Sequence, residues 1–83
     1  MTDISNAARA ERAENALRHY IEARGEVFEN SSSEIADLIA DLLHLAATMD
    51  GGETEDESTV EAVLHLAQLH YEAETDEERE AAA

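Results

Sequence analysis

The sequence of 83 residues contains no cysteine, proline, tryptophan or lysine. Without cysteine there is no disulfide framework, no cysteine-ligated zinc site and no thiol nucleophile. No apolar run is long enough for a signal peptide or a membrane span, so we expect a cytoplasmic protein. A chain of this length has room for one small domain, which we expect to cover residues 1–83.

Positive charge is scarce as well. The chain has 21 acidic residues against five arginines, which gives a formal net charge of −16. The first 24 residues are neutral overall, whereas residues 25–83 hold seventeen acids and a single base, Arg79. The electrostatic field of this negative charge repels nucleic acids and anionic membranes. We therefore expect the protein to bind neither of them directly.

Three helices and no strands are expected from the spacing of the apolar residues. Gly25 is expected to end the first helix. Ser31 with Glu34, and later Ser58 with Glu61, fit the capping-box pattern that begins a helix. The predicted helices cover residues 5–24, 32–49 and 58–74, and residues 75–83 are expected to form a frayed acidic tail.

These helices predict an all-α fold, a small three-helix bundle built on a hairpin of the second and third helices. Val27 and Phe28, in the first linker, are expected to fold back onto the bundle. The main apolar stripe of the third helix consists of Val60, Val63, Leu64, Ala67 and Tyr71. Leu66 and Leu69 lie off this stripe. With Tyr71 they form an expected apolar interface, for which a homodimer is one candidate assembly.

Two carboxylate pairs suggest one enzymatic alternative. Glu11 with Glu14, and Glu34 with Asp37, are each spaced i, i+3, and pairs on facing helices could hold hard cations. With the segment SEIADLIADLLHLA, this pattern resembles the MazG-like nucleoside triphosphate pyrophosphohydrolases. The resemblance implies metal-dependent nucleotide hydrolysis. In the alternative interpretation, Glu34 caps its helix and Asp37 is a first-turn acid favoured by the helix dipole.

The acidity itself is the leading functional signal, and we expect no catalytic residue, cofactor or metal. If the second and third helices are antiparallel, acids near the start of one lie beside the end of the other. Such a surface could occupy the basic groove of a nucleic-acid-binding protein in place of DNA or RNA. The expected partner-binding acids are Glu26, Glu29, Glu34, Asp37, Glu72, Glu74, Asp76, Glu77 and Glu78.

The runs SSSEIADLIADLLHLA and LHLAQLHYEAE, in a short acidic helical chain, resemble small proteins of phages and mobile elements. That resemblance implies an anti-CRISPR or anti-restriction inhibitor that mimics nucleic acid and acts in a bacterial or phage-infected cell. Salt adaptation or a GC-rich genome would give the same composition without mimicry. A dimeric helical adaptor that binds through the apolar face of Leu66, Leu69 and Tyr71 also remains open.

Overall fold

The computed structural model describes residues 5–49 and 57–82, and every regular element in these ranges is a helix. Helix α1 spans Asn6–Ala23, α2 spans Ser32–Thr48 and α3 spans Glu57–Ala82. The predicted all-α class and the small three-helix bundle are confirmed. None of these helices combines the length and apolar character needed to cross a bilayer.

Local hydrogen bonds explain where α1 begins and ends. The Ser5 hydroxyl accepts a 3.1 Å bond from the Ala8 backbone N–H, which satisfies a donor at the helix start. At the other end Gly25 adopts φ +78°, and its N–H donates to the Glu22 carbonyl at 2.9 Å. The N–H of Glu26 then reaches back to the Ile21 carbonyl at 3.3 Å, which completes a Schellman motif. Gly25 therefore ends the helix as predicted.

The capping box predicted at the start of α2 is present. The Ser31 hydroxyl accepts from the Glu34 N–H at 3.3 Å, and the Glu34 carboxylate accepts from the Ser31 N–H at 2.7 Å. The linker before it differs from expectation, because Val27 is 82% exposed. Phe28 is half-buried, and the Arg18 guanidinium lies over its ring at 4.5 Å from the centroid.

Helix α3 is longer than predicted. It starts at Glu57, one residue before the predicted start, and it continues to Ala82 instead of ending at residue 74. Residues 75–82 of the expected tail, which is helix-compatible in sequence, are helical in the structure, and the fraying expected there stays a prediction. The side chain of Ser58, on which the second predicted capping box depends, lies outside what the structure describes.

The chain divides into two compact units, residues 1–39 and 40–83, with the boundary inside α2. Among the described residues of the first unit, Leu17 and Ile21 form the buried apolar core. In the second unit only Ala46 and Ala47 are buried among those described. The single domain expected over residues 1–83 stays a prediction.

Candidate interaction surfaces

In the first unit, three of the expected partner-binding acids surround Arg24 and the start of α2. Arg24 lies 3.3 Å from the Glu26 carboxylate and 3.9 Å from that of Asp37. Desolvation opposes the charge on Arg24, but these carboxylates and the Tyr20 hydroxyl outweigh it and raise the pKa of Arg24. Glu29 is exposed. Glu26 and Asp37 are thus exposed acids whose charge is partly balanced by one arginine.

Glu34, the fourth acid of this group, has a different environment. Its side chain is buried, and its carboxylate accepts from the backbone N–H groups of Glu29 at 3.0 Å and Ser31 at 2.7 Å. Mainly the bond from Glu29, and also those from Ser31, lower the pKa of Glu34 against the opposing effect of desolvation. The assignment of Glu34 to a partner-binding surface is not supported by this placement, because its oxygens are occupied by the helix cap.

In the second unit, residues 72–80 form what we call the acidic segment of α3. It holds six acids and one arginine, a formal charge of −5. Asp76 pairs with Arg79 at 3.1 Å, and Glu72 accepts from the Gln68 amide at 3.2 Å. All six acids except Glu74, which is half-buried, are exposed. They are Glu72, Glu74, Asp76, Glu77, Glu78 and Glu80. A continuous helix therefore holds all six acids in one register, including the four that the sequence analysis placed in a frayed tail: Asp76, Glu77, Glu78 and Glu80.

The first acidic group belongs to residues 1–39 and the acidic segment of α3 belongs to residues 40–83. Each is described by itself. The expected convergence of the two groups at one end of the bundle stays a prediction.

The residues of the expected apolar interface lie in the middle of α3. Every residue from 61 to 73 is exposed, including Leu66 at 53%, Leu69 at 46% and Tyr71 at 68%. These three side chains do not share one face. At 100° per residue, Tyr71 lies about 200° from Leu69 and therefore on the other side of the helix. Leu66 and Leu69 form one surface, and Tyr71 belongs to a second.

Structural partners are present for three of the four carboxylates of the MazG-like pattern: Glu14, Glu34 and Asp37. Glu14 accepts a 3.0 Å bond from the Asn30 amide, and Arg18 lies 4.0 Å from its carboxylate. Glu34 forms the cap of α2. In the parts of the chain that the structure describes, no group of three or more potential ligand side chains is arranged to hold a metal ion.

The sequence interpretation missed two residues of the first unit. Arg24 joins Glu26, Asp37 and Tyr20, whose hydroxyl accepts from Arg24 at 3.1 Å. Asn30 adopts φ +55° and bonds to Glu14. The position of an asparagine just before a capping box is a usable signal, because asparagine tolerates positive φ better than most residues.

Comparison with known proteins found no matching family model, no similar curated protein and no similar solved structure.

Proposed function

We propose that this protein is a non-enzymatic inhibitor that occupies a basic surface of a nucleic-acid-binding complex through the acidic segment of α3. Such a complex would belong to host defence, of the CRISPR or restriction class. We place the action in the cytoplasm of a bacterial or phage-infected cell. Exposed acids of the first unit, Glu26, Glu29 and Asp37, would add to the same attraction.

The linear charge density of the acidic segment is the observation that carries this proposal. Its residues rise about 12 Å along the helix axis at about 1.5 Å per residue. The net charge of −5 over that length gives about one negative charge per 2.4 Å, against roughly 1.7 Å per charge for duplex DNA. A protein groove that is basic enough to hold a duplex would therefore attract this segment by the same electrostatic steering.

Affinity capture from host lysate with the immobilised full chain tests the proposal. We expect the chain to retain nucleic-acid-binding proteins at low salt and to release them when salt or duplex DNA is added, because both compete for the basic surface. Retention of no such protein, or retention that salt and DNA leave unchanged, would contradict the proposal.

A matched pair of double variants localises the effect. Glu77→Gln with Glu80→Gln removes two charges from the acidic segment, and both side chains are exposed. Glu11→Gln with Glu22→Gln removes two exposed charges from α1. We expect the double variant in the acidic segment to weaken capture several-fold and the double variant in α1 to change it little, although both lower the net negative charge by two.

A helical adaptor is the second candidate function, and the exposed apolar surface of α3 favours it. This function would require a partner with an apolar contact patch on Leu66 and Leu69, which are 53% and 46% exposed, or on the opposite face at Tyr71, which is 68% exposed. The adaptor function predicts the opposite effects of substitution from the inhibitor function. Leu66→Glu would abolish capture of the partner, and neutralising the acids of residues 72–80 would leave capture intact.

A further inference from the structure

Asn30 differs from the other asparagines of the chain in its backbone setting. Asn6 and Asn15 lie in α1, whereas Asn30 is exposed in the linker before α2 and adopts φ +55°. The residue that follows it is Ser31, whose small side chain hinders reactions of the neighbouring amide little. Asparagine is among the chemically labile residue types. It deamidates most readily in irregular backbone before a small residue, so Asn30 has the setting of a deamidation site.

The reaction needs the backbone nitrogen of Ser31 as its nucleophile. This nitrogen gives up its proton to solvent and attacks Cγ of Asn30. The bond between Cγ and Nδ2 then breaks, and the amide group takes up a proton and leaves as ammonia. Water opens the resulting cyclic succinimide at either carbonyl. The products are aspartate at position 30, or isoaspartate, in which the backbone runs through the side-chain carbon.

Carboxylates hold both nitrogen atoms of this reaction. The Ser31 N–H donates to the Glu34 carboxylate at 2.7 Å, and Nδ2 of Asn30 donates to the Glu14 carboxylate at 3.0 Å. The first bond engages the proton that must leave before the attack. The negative charge of Glu34 also disfavours the amide anion that carries out the attack, because like charges repel at short distance.

The charge of Glu34 is present at neutral pH, because its hydrogen bonds lower its pKa. Its carboxylate is also bound by the N–H of Glu29 at 3.0 Å, so the acceptor is fixed from both sides of Asn30. The setting of Asn30 thus favours deamidation, and the capping box of Ser31 and Glu34 opposes it.

We propose that Asn30 is a deamidation site that the capping box of α2 holds closed, and that it reacts when the cap opens. This inference concerns the first unit alone. It does not rest on the proposed function, because neither the acidic segment of α3 nor a basic partner takes part in it.

The products act back on the same cap. Either product places a carboxylate where the Asn30 amide donates to Glu14, so a hydrogen bond is replaced by repulsion between like charges. The isoaspartate product also lengthens the backbone between residues 30 and 31 by one carbon, which shifts the Ser31 N–H relative to Glu34. Deamidation therefore opens the cap further, and refolding does not reverse it. The first unit contains a one-way switch that adds a negative charge.

Peptide mass spectrometry of the full chain tests the site. The natural chain and Glu34→Ala are incubated at neutral pH and then cleaved after arginine at mildly acidic pH, where deamidation is slow. Arginines separate Asn6, Asn15 and Asn30 on different peptides. We expect Asn30 to deamidate several-fold faster in Glu34→Ala, and Asn15, which is also exposed, to react slowly in both proteins. Equal rates at Asn30 in the two proteins would overturn the proposal.

A second variant separates opening of the cap from general unfolding. Glu34→Ala lowers stability, and unfolding by itself would also accelerate the reaction. Ile21→Ala removes the most buried side chain of the first unit and leaves the cap in place. The two variants are compared in denaturant concentrations that give the same unfolded fraction. We expect Asn30 to react faster in Glu34→Ala, and equal rates at matched unfolded fraction would overturn control by the cap.

Asn30→Asp tests the effect of the product on the cap. We expect this variant to speed hydrogen exchange of the Ser31 amide several-fold, because the added carboxylate repels Glu14. In a Glu14→Gln background the same substitution should have a smaller effect, since the repulsion is absent. Unchanged exchange at Ser31 in Asn30→Asp would overturn the action of the product on the cap.

Discussion

The carboxylate of Glu34 accepts a 2.7 Å hydrogen bond from the backbone N–H of Ser31, and the Ser31 hydroxyl accepts from the N–H of Glu34. The second carboxylate oxygen of Glu34 holds the N–H of Glu29 at 3.0 Å. One buried acid thus joins the linker to the first turn of α2. It is a structural acid, whereas the other carboxylates whose burial the structure describes are exposed or half-buried.

Removal of this carboxylate should destabilise the first unit. Glu34→Ala leaves the N–H groups of Glu29 and Ser31 without their acceptor, and we expect the Tm in thermal unfolding to fall by several degrees. Glu29→Gln is the control, because it removes one charge and keeps the backbone donor of Glu29. Equal Tm values for Glu34→Ala and the natural chain would show that the cap does not form.

The same carboxylate gives a pH dependence. Its hydrogen bonds lower the pKa of Glu34 below the ordinary value, so its contribution to stability is complete above the pKa of the unfolded chain, about 4.3. That contribution is lost as the pH falls through the lower pKa of the folded chain. We therefore expect the Tm difference between the natural chain and Glu34→Ala to be constant near neutral pH and to shrink in acid. A difference that grows in acid would have the wrong sign.

Gly25 provides a test of the end of α1. A Cβ at this position would meet nothing within 4 Å, so the cost of a substitution comes from the backbone φ of +78°. We expect Gly25→Ala to lower the free energy of unfolding by about 1 kcal/mol, because L-residues disfavour this conformation. Gly25→Asn should cost less, since asparagine tolerates it better. Chemical denaturation measures both, and a stabilising effect of Gly25→Ala would rule out the left-handed cap.

The helical acidic segment is tested at Thr75, whose hydroxyl donates to the Tyr71 carbonyl at 2.8 Å. Thr75→Pro removes a backbone donor inside α3 and clashes with the preceding turn. NMR chemical shifts of residues 75–82 should be helical in the natural chain and in Thr75→Ala, and should move toward coil values in Thr75→Pro. Coil-like chemical shifts in the natural chain would show that residues 75–82 are frayed and that their acids do not hold a fixed helical arrangement.

Local signals in the sequence predicted most of the helix boundaries. The glycine after α1 and the serine–glutamate pair before α2 act through short-range hydrogen bonds, so their residues alone specify them. The end of α3 was placed too early because polarity suggested fraying, whereas alanine, glutamate and arginine all have high helix propensity and residues 75–83 contain no proline or glycine. Burial depends on tertiary contacts. The exposure of Val27 and the burial of Glu34 could therefore not be predicted from the spacing of polar and apolar residues in the sequence.

The candidate surfaces were predictable in residue type and less so in arrangement. Leu66 and Leu69 were recognised because they lie off the main apolar stripe of α3. Their separation from Tyr71 was also readable from the sequence, because Tyr71 belongs to that main stripe and all three residues lie in the predicted helix of residues 58–74. The helical register of all six acids required the structure, because the sequence analysis assigned four of them to a tail.

A competition experiment tests the central claim most directly. A nucleic-acid-binding protein that the chain captures is first allowed to bind fluorescent duplex DNA. The full chain is then added at low salt, and the fluorescence anisotropy of the DNA reports how much DNA stays bound. We expect the natural chain and Glu11→Gln with Glu22→Gln to displace the DNA equally, and Glu77→Gln with Glu80→Gln to require several-fold more protein. Undisturbed DNA binding at saturating natural chain would contradict the account.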